Sequence, residues 1–262
     1  MRNGAGSGQG REIPATGWRV ERLANVGSTN DEARRRALEG DPGRLWIVAR
    51  EQTQGRGRRG RAWASPPGNL YASALLIDPS PVAIAAQIGF VAGVALRRAL
   101  DGLGVSDEVR LKWPNDLVWR GAKLAGLLVE GVTLGDGRLA CIVGIGVNCA
   151  SAPAGLAYPT SHLAHVFGRA ISPDELLARL APCFEEALAL WRRGEGFSAI
   201  RSQWLAHAAG LGGPIRIAGA QGSREGAFET LDGQGRLILR GANGLEIVEA
   251  GDLFLIKEGA GG

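Results

Sequence analysis

The hydrophobic positions of the chain follow two periods, one typical of strands and one typical of helices. Short apolar or β-branched runs bounded by turn residues predict buried strands. They lie at 44–50, 69–78, 109–113, 117–119, 123–130 and 138–148. Segments with the periodicity and capping residues of helices predict four longer elements. These lie at 27–40, 82–100, 173–193 and 197–208. The order of elements predicts an α+β fold in which helices pack on a mixed sheet.

A glycine cluster marks a boundary between this main domain and a smaller one. Gly210, Gly212 and Gly213 precede Pro214, and four short strand-like runs with glycine turns follow. This spacing predicts a small β-barrel of about 45 residues. The N-terminal segment is polar and predicts a disordered tail rather than a signal peptide. We therefore expect a tail over 1–15, a main domain over 16–210 and a barrel domain over 211–258.

The composition narrows the class of protein. The net charge of the 262 residues is only +4, which does not indicate the broad basic face of a polynucleotide-binding protein. Three cysteines form no CxxC motif, and this favours a reducing, cytoplasmic setting. The most apolar long segment, 82–100, contains Gln87 and reaches Arg97, so it is too short for a membrane span and predicts a buried helix.

The segment GRGRRG at 55–60 has the Gly-x-Gly-x-x-Gly spacing of a dinucleotide-binding turn. That turn must open a helix, and Pro66 and Pro67 exclude one because each costs about 3 kcal/mol inside a helix. The remaining loop is rich in arginine and glycine, which suit a phosphate or carboxylate. Ordering it costs about 1–2 kcal/mol per residue, so we expect order only over a multiply charged ligand. A solvated basic turn or an RGG-like nucleic-acid segment is the alternative interpretation.

A second informative stretch is KWPNDLVWRGAKLAGLLVEG at 112–131. Its Arg-Gly pair predicts a two-residue hairpin turn. The turn would pair Trp119 with Ala122, Val118 with Lys123, and Asp116 with Ala125. This register puts Asp116 and Lys123 on one face as diagonal neighbours. The alternative is an ordinary edge lysine that extends to water.

Two further motifs carry less information. GIGVN at 144–148 places glycines in a strand, which indicates close packing, a bulge or the approach of a flat base. His162 and His165 have a spacing that could face one metal, but no carboxylate or cysteine completes a set. We interpret both as helix-surface residues and leave the metal ligands unknown. The sequence contains no GxxxxGK[ST] motif, which excludes a P-loop.

Taken together, four motifs in order resemble the biotin protein ligase family of the biotin–[acetyl-CoA-carboxylase] ligase type. They are STN at 28–30, EQTQGRGRRGRAWASPPGNLYAS at 51–73, KWPNDLVW-x₃-KLAGLLVE at 112–130 and GIGVN at 144–148. The resemblance covers roughly residues 18–257, and the combination of GRGRRGR with KWPND is highly specific.

The resemblance implies a class II synthetase-like catalytic domain and an SH3-like C-terminal barrel. It implies that biotin and ATP, with Mg²⁺ expected, form biotinyl-5′-AMP and pyrophosphate. The biotinyl group then passes to a lysine of the biotin carboxyl carrier protein of acetyl-CoA carboxylase. The implied biotin contacts are Ser28, Thr29, Asn30, Gln52, Gly55, Arg56, Gly57, Arg58 and Lys123. The implied ATP and adenylate contacts are Arg58, Arg61, Trp63, Lys123 and Asn148.

Physical roles follow for the charged residues of these motifs. Lys123 with Arg56 or Arg58 would neutralise charge that builds on the α-phosphate. We hypothesise that Asp116 orients or deprotonates the acceptor lysine, so that Asp116→Asn would spare adenylate formation and slow transfer. Lys112 could serve either phosphate binding or structure.

The family resemblance also bears on partners. The matching region begins near residue 18, which leaves no room for the winged helix-turn-helix domain of bifunctional members. We therefore expect no sequence-specific DNA binding. A strand edge near 123–149 could pair subunits in a homodimer. A lipoate or octanoyl ligase on a related fold is the alternative enzyme, disfavoured by the Arg/Gly loop with KWPND. A nucleic-acid-binding module is disfavoured by the low net charge.

Overall fold

The computed structural model describes residues 11–13, 17–219 and 222–256. Eight strands of the main domain lie within these ranges. They are β1 (Arg11–Ile13), β2 (Trp18–Val26), β3 (Leu45–Gln52), β4 (Leu70–Ile77), β5 (Val109–Lys112), β6 (Asp116–Trp119), β7 (Ala122–Thr133) and β8 (Leu139–Val147). They form one mixed sheet in the order β1-β2-β3-β4-β8-β7-β6-β5. The pair β2–β3 is parallel and the other pairs are antiparallel.

Five α-helices of the described residues pack on this sheet. They are α1 (Thr29–Leu38), α2 (Gln87–Asp101), α3 (Leu163–Phe167), α4 (Pro173–Trp191) and α5 (Phe197–Ala206). Helix α1 contacts β3, β4 and β8 on one face, whereas α2, α4 and α5 pack together on the other. The α+β prediction is confirmed. The helix predicted at 82–100 begins with a 3₁₀ turn over Val82–Ile84, so its α-helical part starts later than expected.

Capping chemistry fixes where two of the helices begin. Ser28 has the extended backbone of an N-cap residue before α1, and two acidic residues in the first turn suit the positive end of the helix dipole. At α4 the Ser172 hydroxyl accepts a hydrogen bond from the Glu175 N–H at 3.0 Å, and Pro173 occupies the first helical position. The start of α1 therefore lies at the end of β2, beside the end of β3.

The core lies on both faces of the sheet. Strand β4 is buried along nearly its whole length, as a strand covered on both sides should be. On the α1 face, Ala33 and Ala37 pack against Ile47, Leu75 and Ile142. The larger cluster on the opposite face includes the aromatic group of Trp18, Trp46 and Phe184, whose ring centroids are 5.4 to 5.7 Å apart.

The β6–β7 hairpin differs from its predicted register at one position. Trp119 pairs with Ala122 and Val118 with Lys123, as predicted. A bulge after Lys123 then shifts the ladder, so that Asp116 pairs with Gly126 and the predicted Asp116–Ala125 pair is wrong. A bulge adds one residue to a strand without a partner, and turn residues give no signal of it.

The C-terminal domain is a five-stranded antiparallel sheet. Its strands are β9 (Pro214–Gly219), β10 (Gly222–Leu231), β11 (Leu237–Gly241), β12 (Gly244–Val248) and β13 (Asp252–Leu255), in the order β12-β11-β10-β9-β13. Hydrogen bonds tie the main domain to the C-terminal domain, among them one from Trp113 and one from Arg201. The indole of Trp113 donates to the Gly235 carbonyl at 3.1 Å, and Arg201 donates to the Leu231 carbonyl at 2.6 Å. These contacts bring β13 beside the main sheet.

The structure differs from two of the predictions made from the sequence. Most of the tail predicted over 1–15 lies outside the described residues, but Arg11–Ile13 pairs with β2 and extends the sheet by one strand. We also predicted that the segment near 123–149 is an edge strand, but β7 and β8 are internal strands of the sheet. Strand β6 covers β7 as far as Gly126, so within the described residues β7 beyond Leu127 has a strand neighbour on one side. No helix among the described residues is long and apolar enough to cross a membrane.

Candidate active site

A cavity of about 590 Å³ lies where the start of α1, the Arg/Gly loop, β7, β8 and β13 meet. This volume is in the range of small-molecule sites. Most of the residues singled out from the sequence line it: Ser28, Thr29, Asn30, Gln52, Arg56, Gly57, Arg58, Arg61, Trp63, Asp116 and Lys123. The sequence motifs, which are spread over about half of the main domain, therefore converge on one place.

One wall of the cavity is a network of neutral polar groups. The Gln52 side-chain carbonyl accepts hydrogen bonds from the Thr29 N–H at 2.8 Å and from the Thr29 hydroxyl at 3.1 Å. The Gln52 amide donates to the Ser65 hydroxyl at 3.0 Å. The fully buried Ser73 hydroxyl lies 2.8 Å from the Thr29 hydroxyl and 2.6 Å from the Asn30 side-chain carbonyl. These bonds fix side chains on α1 against the ends of β3 and β4.

Two carboxylates hold the first arginine of the loop. Arg56 makes a bidentate pair with Asp31, with both N–O distances at 2.7 Å. Its guanidinium also lies 3.1 to 3.4 Å from the Glu130 carboxylate. The hydrogen bond from Arg56 lowers the pKa of Asp31. Arg56 is thus matched by protein carboxylates within the described residues.

Glycines in β8 allow two side chains to approach the sheet closely. A Cβ atom at Gly144 would lie 2.5 Å from the Asn30 side-chain oxygen, and one at Gly146 would lie 2.7 Å from the Trp63 indole. Both distances are shorter than any real contact, so these positions require glycine. The flat group that the GIGVN motif admits at Gly146 is therefore the indole of Trp63.

Asp116 lies between two lysines at the opposite end of the cavity. Its carboxylate is 2.7 Å from the Lys123 ammonium and 3.4 Å from the Lys112 ammonium. The prediction that Asp116 and Lys123 share a face is confirmed, in spite of the bulge. The Lys123 ammonium also lies 5.3 Å from the centre of the Trp63 ring and 5.7 Å from that of Tyr158. It is held in place rather than extended to water.

The rest of the Arg/Gly loop contacts the C-terminal domain. Arg61 forms a short ion pair with Asp252, and Arg59 lies 3.5 Å from the same carboxylate. Arg58 donates to the Asn115 side chain and to the Gly251 carbonyl, each at 3.3 Å. Burial lowers the pKa of Arg58. We predicted that the loop would be ordered only over a multiply charged ligand, but protein groups also hold it through these contacts, which corrects that prediction.

The two ends of the cavity differ in charge. Near the polar wall, one guanidinium (Arg56) faces two carboxylates. At the other end, four cations that line the cavity share the two carboxylates Asp116 and Asp252, and those cations are Arg58, Arg61, Lys112 and Lys123. Arg59, outside the cavity lining, also approaches Asp252. The first end therefore suits a neutral group and the second suits a polyanion.

Two expected contacts lie away from the cavity wall. Asn148 is buried, and its side chain donates to the Ser161 carbonyl at 3.1 Å. Gly55 contributes its carbonyl to a hydrogen bond from the Trp63 N–H at 2.9 Å. Four residues of the site were missed by sequence reasoning: Ser73, Asn115, Glu130 and Asp252. Of these, Ser73, Asn115 and Glu130 lie within motifs already noticed, so each could have been tested as a polar residue in an apolar strand or turn.

The described residues offer no ready-made cage for a metal ion. They contain no cluster of three or more potential ligands among histidine, cysteine, aspartate and glutamate. The carboxylates closest to the cavity are each engaged by a lysine or an arginine. The residues therefore do not fit a resident Mg²⁺ site.

The fold and the cavity define an acyl-transfer ligase of the biotin and lipoate class. Residues 25–148 match the Biotin/lipoate A/B protein ligase family, and residues 210–255 match the Biotin protein ligase C terminal domain. The second match begins close to the glycine cluster at the end of the main domain.

Similarity to individual proteins distinguishes the biotin ligases from the lipoate ligases of this class. The chain is 44% identical to the biotin–[acetyl-CoA-carboxylase] ligase of Paracoccus denitrificans, over 88% of this chain and 98% of that protein. It is 29% identical to the enzyme of the same name from Mycobacterium tuberculosis, over 92% and 91% of the two chains. A solved structure of biotin protein ligase from Aquifex aeolicus, in complex with biotin and ATP, has a TM-score of 0.77 and 27% identity over 91% of this chain and 99% of that one. This chain belongs to the biotin protein ligase family.

Proposed function

We propose that this biotin protein ligase joins biotin to ATP and then transfers the biotinyl group to a lysine of a biotin carboxyl carrier protein. One observation carries the proposal: a neutral hydrogen-bonding wall and an excess of cations, Lys123 among them, face a single cavity. Biotin has a neutral ureido head and a carboxylate tail, and ATP is a polyanion. Similarity to the ligases of Paracoccus denitrificans and Aquifex aeolicus supports the same assignment.

The ureido head of biotin belongs at the polar wall. This group has one carbonyl acceptor and two N–H donors, which hydroxyl and amide side chains can match. Ser28 supports this placement, because its hydroxyl makes no cap hydrogen bond and the residue is buried at the cavity. Thr29, Asn30 and Gln52 complete the wall. Gly57 and Arg58 cover the ligand as parts of the loop.

The triphosphate belongs at the cationic end. In the first half-reaction, a biotin carboxylate oxygen attacks the α-phosphorus, and the bond to pyrophosphate breaks. Lys123 and Arg58 are placed to neutralise the charge on the α-phosphate, and one close pair contributes about 4 kcal/mol at an effective dielectric near 20. Arg56 is less suited to this role because two carboxylates already match its charge. The charge excess favours phosphate binding for Lys112, whose role the sequence left open.

In the second half-reaction, the acceptor amine attacks the carbonyl carbon of biotinyl-5′-AMP, and AMP leaves. The amine must lose a proton, because a lysine ammonium has no free electron pair. Asp116 is 2.7 Å from Lys123, so we assign it first to orienting that lysine. The Arg/Gly loop, closed onto Asp252, would shield the adenylate from water until the acceptor arrives.

Trp63, Arg61 and Asn148 are proposed on the adenylate side of the site. The Trp63 ring and the Arg61 guanidinium line the cavity and support this assignment. Asn148 would have to give up its bond to Ser161 to reach a base, so its placement rests on the family motif. Mg²⁺ is expected to arrive with the nucleotide as part of the substrate, and no step is assigned to it.

The remaining proposals concern surroundings and partners. Two buried free thiols, Cys141 and Cys149, support a reducing cytoplasmic location, because disulfides are rare in such a compartment. We propose no sequence-specific DNA binding, which the low net charge supports. A homodimer through β7 stays a prediction. The lipoate alternative is not favoured, because the full-length relatives are biotin ligases.

Two assays test the function. Exchange of labelled pyrophosphate into ATP should depend on biotin and should not occur with lipoate or octanoate. Mass spectrometry of a purified carrier domain incubated with enzyme, biotin and ATP should show a mass gain on one lysine. A carrier in which that lysine is replaced by arginine is the matched control. Biotin-independent exchange, or an unmodified carrier, would contradict the proposal.

A further inference from the structure

We propose that Glu130 is a positioning residue for biotin, because it fixes the orientation of the Asn30 side-chain amide at the cavity wall. Glu130 lies on β7 and is not among the residues that line the cavity, and its carboxylate accepts a hydrogen bond from the Asn30 amide at 2.6 Å. This inference rests on the proposed binding of biotin at the polar wall.

The contacts of Asn30 show why this carboxylate decides the orientation. The Asn30 carbonyl oxygen lies 2.6 Å from the Ser73 hydroxyl, which can either donate or accept and would therefore suit both orientations of the amide. The Glu130 carboxylate can only accept, so it requires the NH₂ group on its side. Gly144 lets the amide lie directly against β8 in this orientation.

The fixed orientation of the Asn30 amide matters because a ureido group has its hydrogen-bond donors and its acceptor at different positions. Its carbonyl needs donors and its N–H groups need acceptors. One hydrogen of the Asn30 NH₂ group is bonded to Glu130, and the other hydrogen and the second lone pair of the carbonyl remain for a ligand. Turning the amide by 180° would exchange a donor for an acceptor at both places. A buried polar group facing the wrong partner is then left unsatisfied.

Glu130 also contacts Arg56, and the structure allows this second contact to be separated from the first. Asp31 makes the shorter, bidentate pair with Arg56, whereas Asn30 bonds to Glu130 and not to Asp31. Asp31→Asn therefore disturbs Arg56 and leaves the Asn30 amide unchanged. Within the carboxylate itself, Glu130→Gln keeps an acceptor but removes the charge, and Glu130→Asp keeps the charge but shortens the reach.

The experiment measures biotin affinity by titration calorimetry in the full-length variants. Glu130→Asp should weaken biotin binding about tenfold, because the Asn30 amide loses its partner. Glu130→Gln should stay within about threefold of the unchanged protein and Asp31→Asn within about twofold, because each keeps an acceptor for Asn30. Glu229→Gln, which disturbs an exposed pair with Arg240, is the control for a lost surface charge and should have no effect.

A double-mutant cycle completes the test. If Glu130 acts through Asn30, then Asn30→Ala with Glu130→Asp should bind biotin no more weakly than Asn30→Ala by itself. Additive losses of biotin affinity in the double variant would overturn the proposal. An affinity loss in Glu130→Gln equal to that in Glu130→Asp would also overturn it. So would an affinity loss in Asp31→Asn equal to that in Glu130→Asp. The unchanged protein is titrated first. Failure of that protein to bind biotin would contradict the proposed function, and this outcome is distinct from the failure of the Glu130 variants to differ.

Discussion

The two ends of the cavity are built from different chemistry, although they line the same cavity. The polar wall is made of hydroxyl and amide groups whose hydrogen bonds are mostly satisfied by one another, and its nearest arginine is matched by Asp31 and Glu130. The cationic end consists of long basic side chains that outnumber the carboxylates Asp116 and Asp252. A preorganised neutral wall favours a single shape, and an unbalanced cluster of cations favours a multiply charged ligand.

This difference explains why the motifs look so unlike one another in sequence. STN supplies short polar side chains on the first turn of a helix, where they are rigid. GRGRRGR supplies long cations on a loop, where they can adjust to phosphate, and KWPND supplies Lys112 at the end of β5. The arginines of one loop therefore do not share one role. Arg56 joins the polar end, and Arg58 and Arg61 join the cationic end.

The largest expected effect comes from the residue that serves the reacting phosphate. Lys123→Gln should slow biotin-dependent pyrophosphate exchange about 100- to 1,000-fold, because charge on the α-phosphate loses its nearest ammonium. Biotin affinity should change little, since the polar wall is untouched. Arg240→Gln, in an exposed pair of the C-terminal domain, is the control. An exchange rate in Lys123→Gln within tenfold of the unchanged enzyme would show that Lys123 does not neutralise the charge on the α-phosphate.

Sequence reasoning could predict some contacts of this site and not others. The difference depends on how far apart the two residues of each contact lie in the sequence. The hairpin turn brought Asp116 and Lys123 together because their spacing is local, and the register was correct as far as Lys123. The bulge that follows was not predictable, since it depends on how β7 fits between β6 and β8. The pairing of Arg61 with Asp252 joins residues 191 positions apart and has no local signal at all.

The same limit explains the errors about the Arg/Gly loop. The loop contains four arginines, and from its composition we predicted order only over a multiply charged ligand. Arg56, Arg59 and Arg61 pair with carboxylates from α1, β7 and β13, which meet only in the folded chain. By contrast, six of the eight strands of the main sheet and the four long helices were predicted, because hydrophobic periodicity is a property of each element by itself. The prediction missed β1 and β2.

The polar end can be disturbed selectively at Gly144. Gly144→Ala would place a methyl group 2.5 Å from the Asn30 side-chain oxygen, so the Asn30 amide must move. We expect biotin affinity to fall about thirtyfold, which corresponds to about 2 kcal/mol of overpacking. Binding of a non-hydrolysable ATP analogue should be preserved. Gly135→Ala, where an added Cβ meets nothing within 4 Å, is the matched control. Equal losses of biotin and nucleotide would mean that the sheet itself is disrupted.

Asp116 tests the boundary between the two ends. The sequence hypothesis expects Asp116→Asn to spare adenylate formation, whereas the contact with Lys123 leads us to expect about a tenfold loss in both half-reactions, because that ammonium loses its charged partner. Pyrophosphate exchange measures the first step. Single-turnover transfer from added biotinyl-5′-AMP to the carrier measures the second. A loss confined to transfer would restore the hypothesis that Asp116 handles the proton of the acceptor.

The cationic end can be weakened at Lys112 without touching the reacting phosphate. Lys112→Gln should raise the KM for ATP about tenfold, because a charged hydrogen bond to phosphate is lost, and should leave the Kd for biotin unchanged. Transfer from preformed adenylate, which has no pyrophosphate, should also be unaffected. If Lys112 instead serves only to hold Asp116, the rate of transfer will fall together with the rate of pyrophosphate exchange. Lys112 would then not count among the cations that bind phosphate.

The smallest effect is expected where the cationic end meets the C-terminal domain. Burial opposes ionisation of Asp252, but the hydrogen bond and charge of Arg61 outweigh it and lower the pKa of Asp252 below 3.8. A depressed carboxyl pKa means that the contact is fully present above that value and is lost as the pH falls through the lower folded-state pKa. Asp252→Asn should therefore release preformed adenylate about threefold faster at neutral pH, a modest change because Arg61 is largely exposed. The unchanged enzyme should approach the same rate only below pH 3.8, whereas release from Asp252→Asn should not gain this acid-dependent step. Equal release rates at neutral pH would show that β13 does not hold the loop closed.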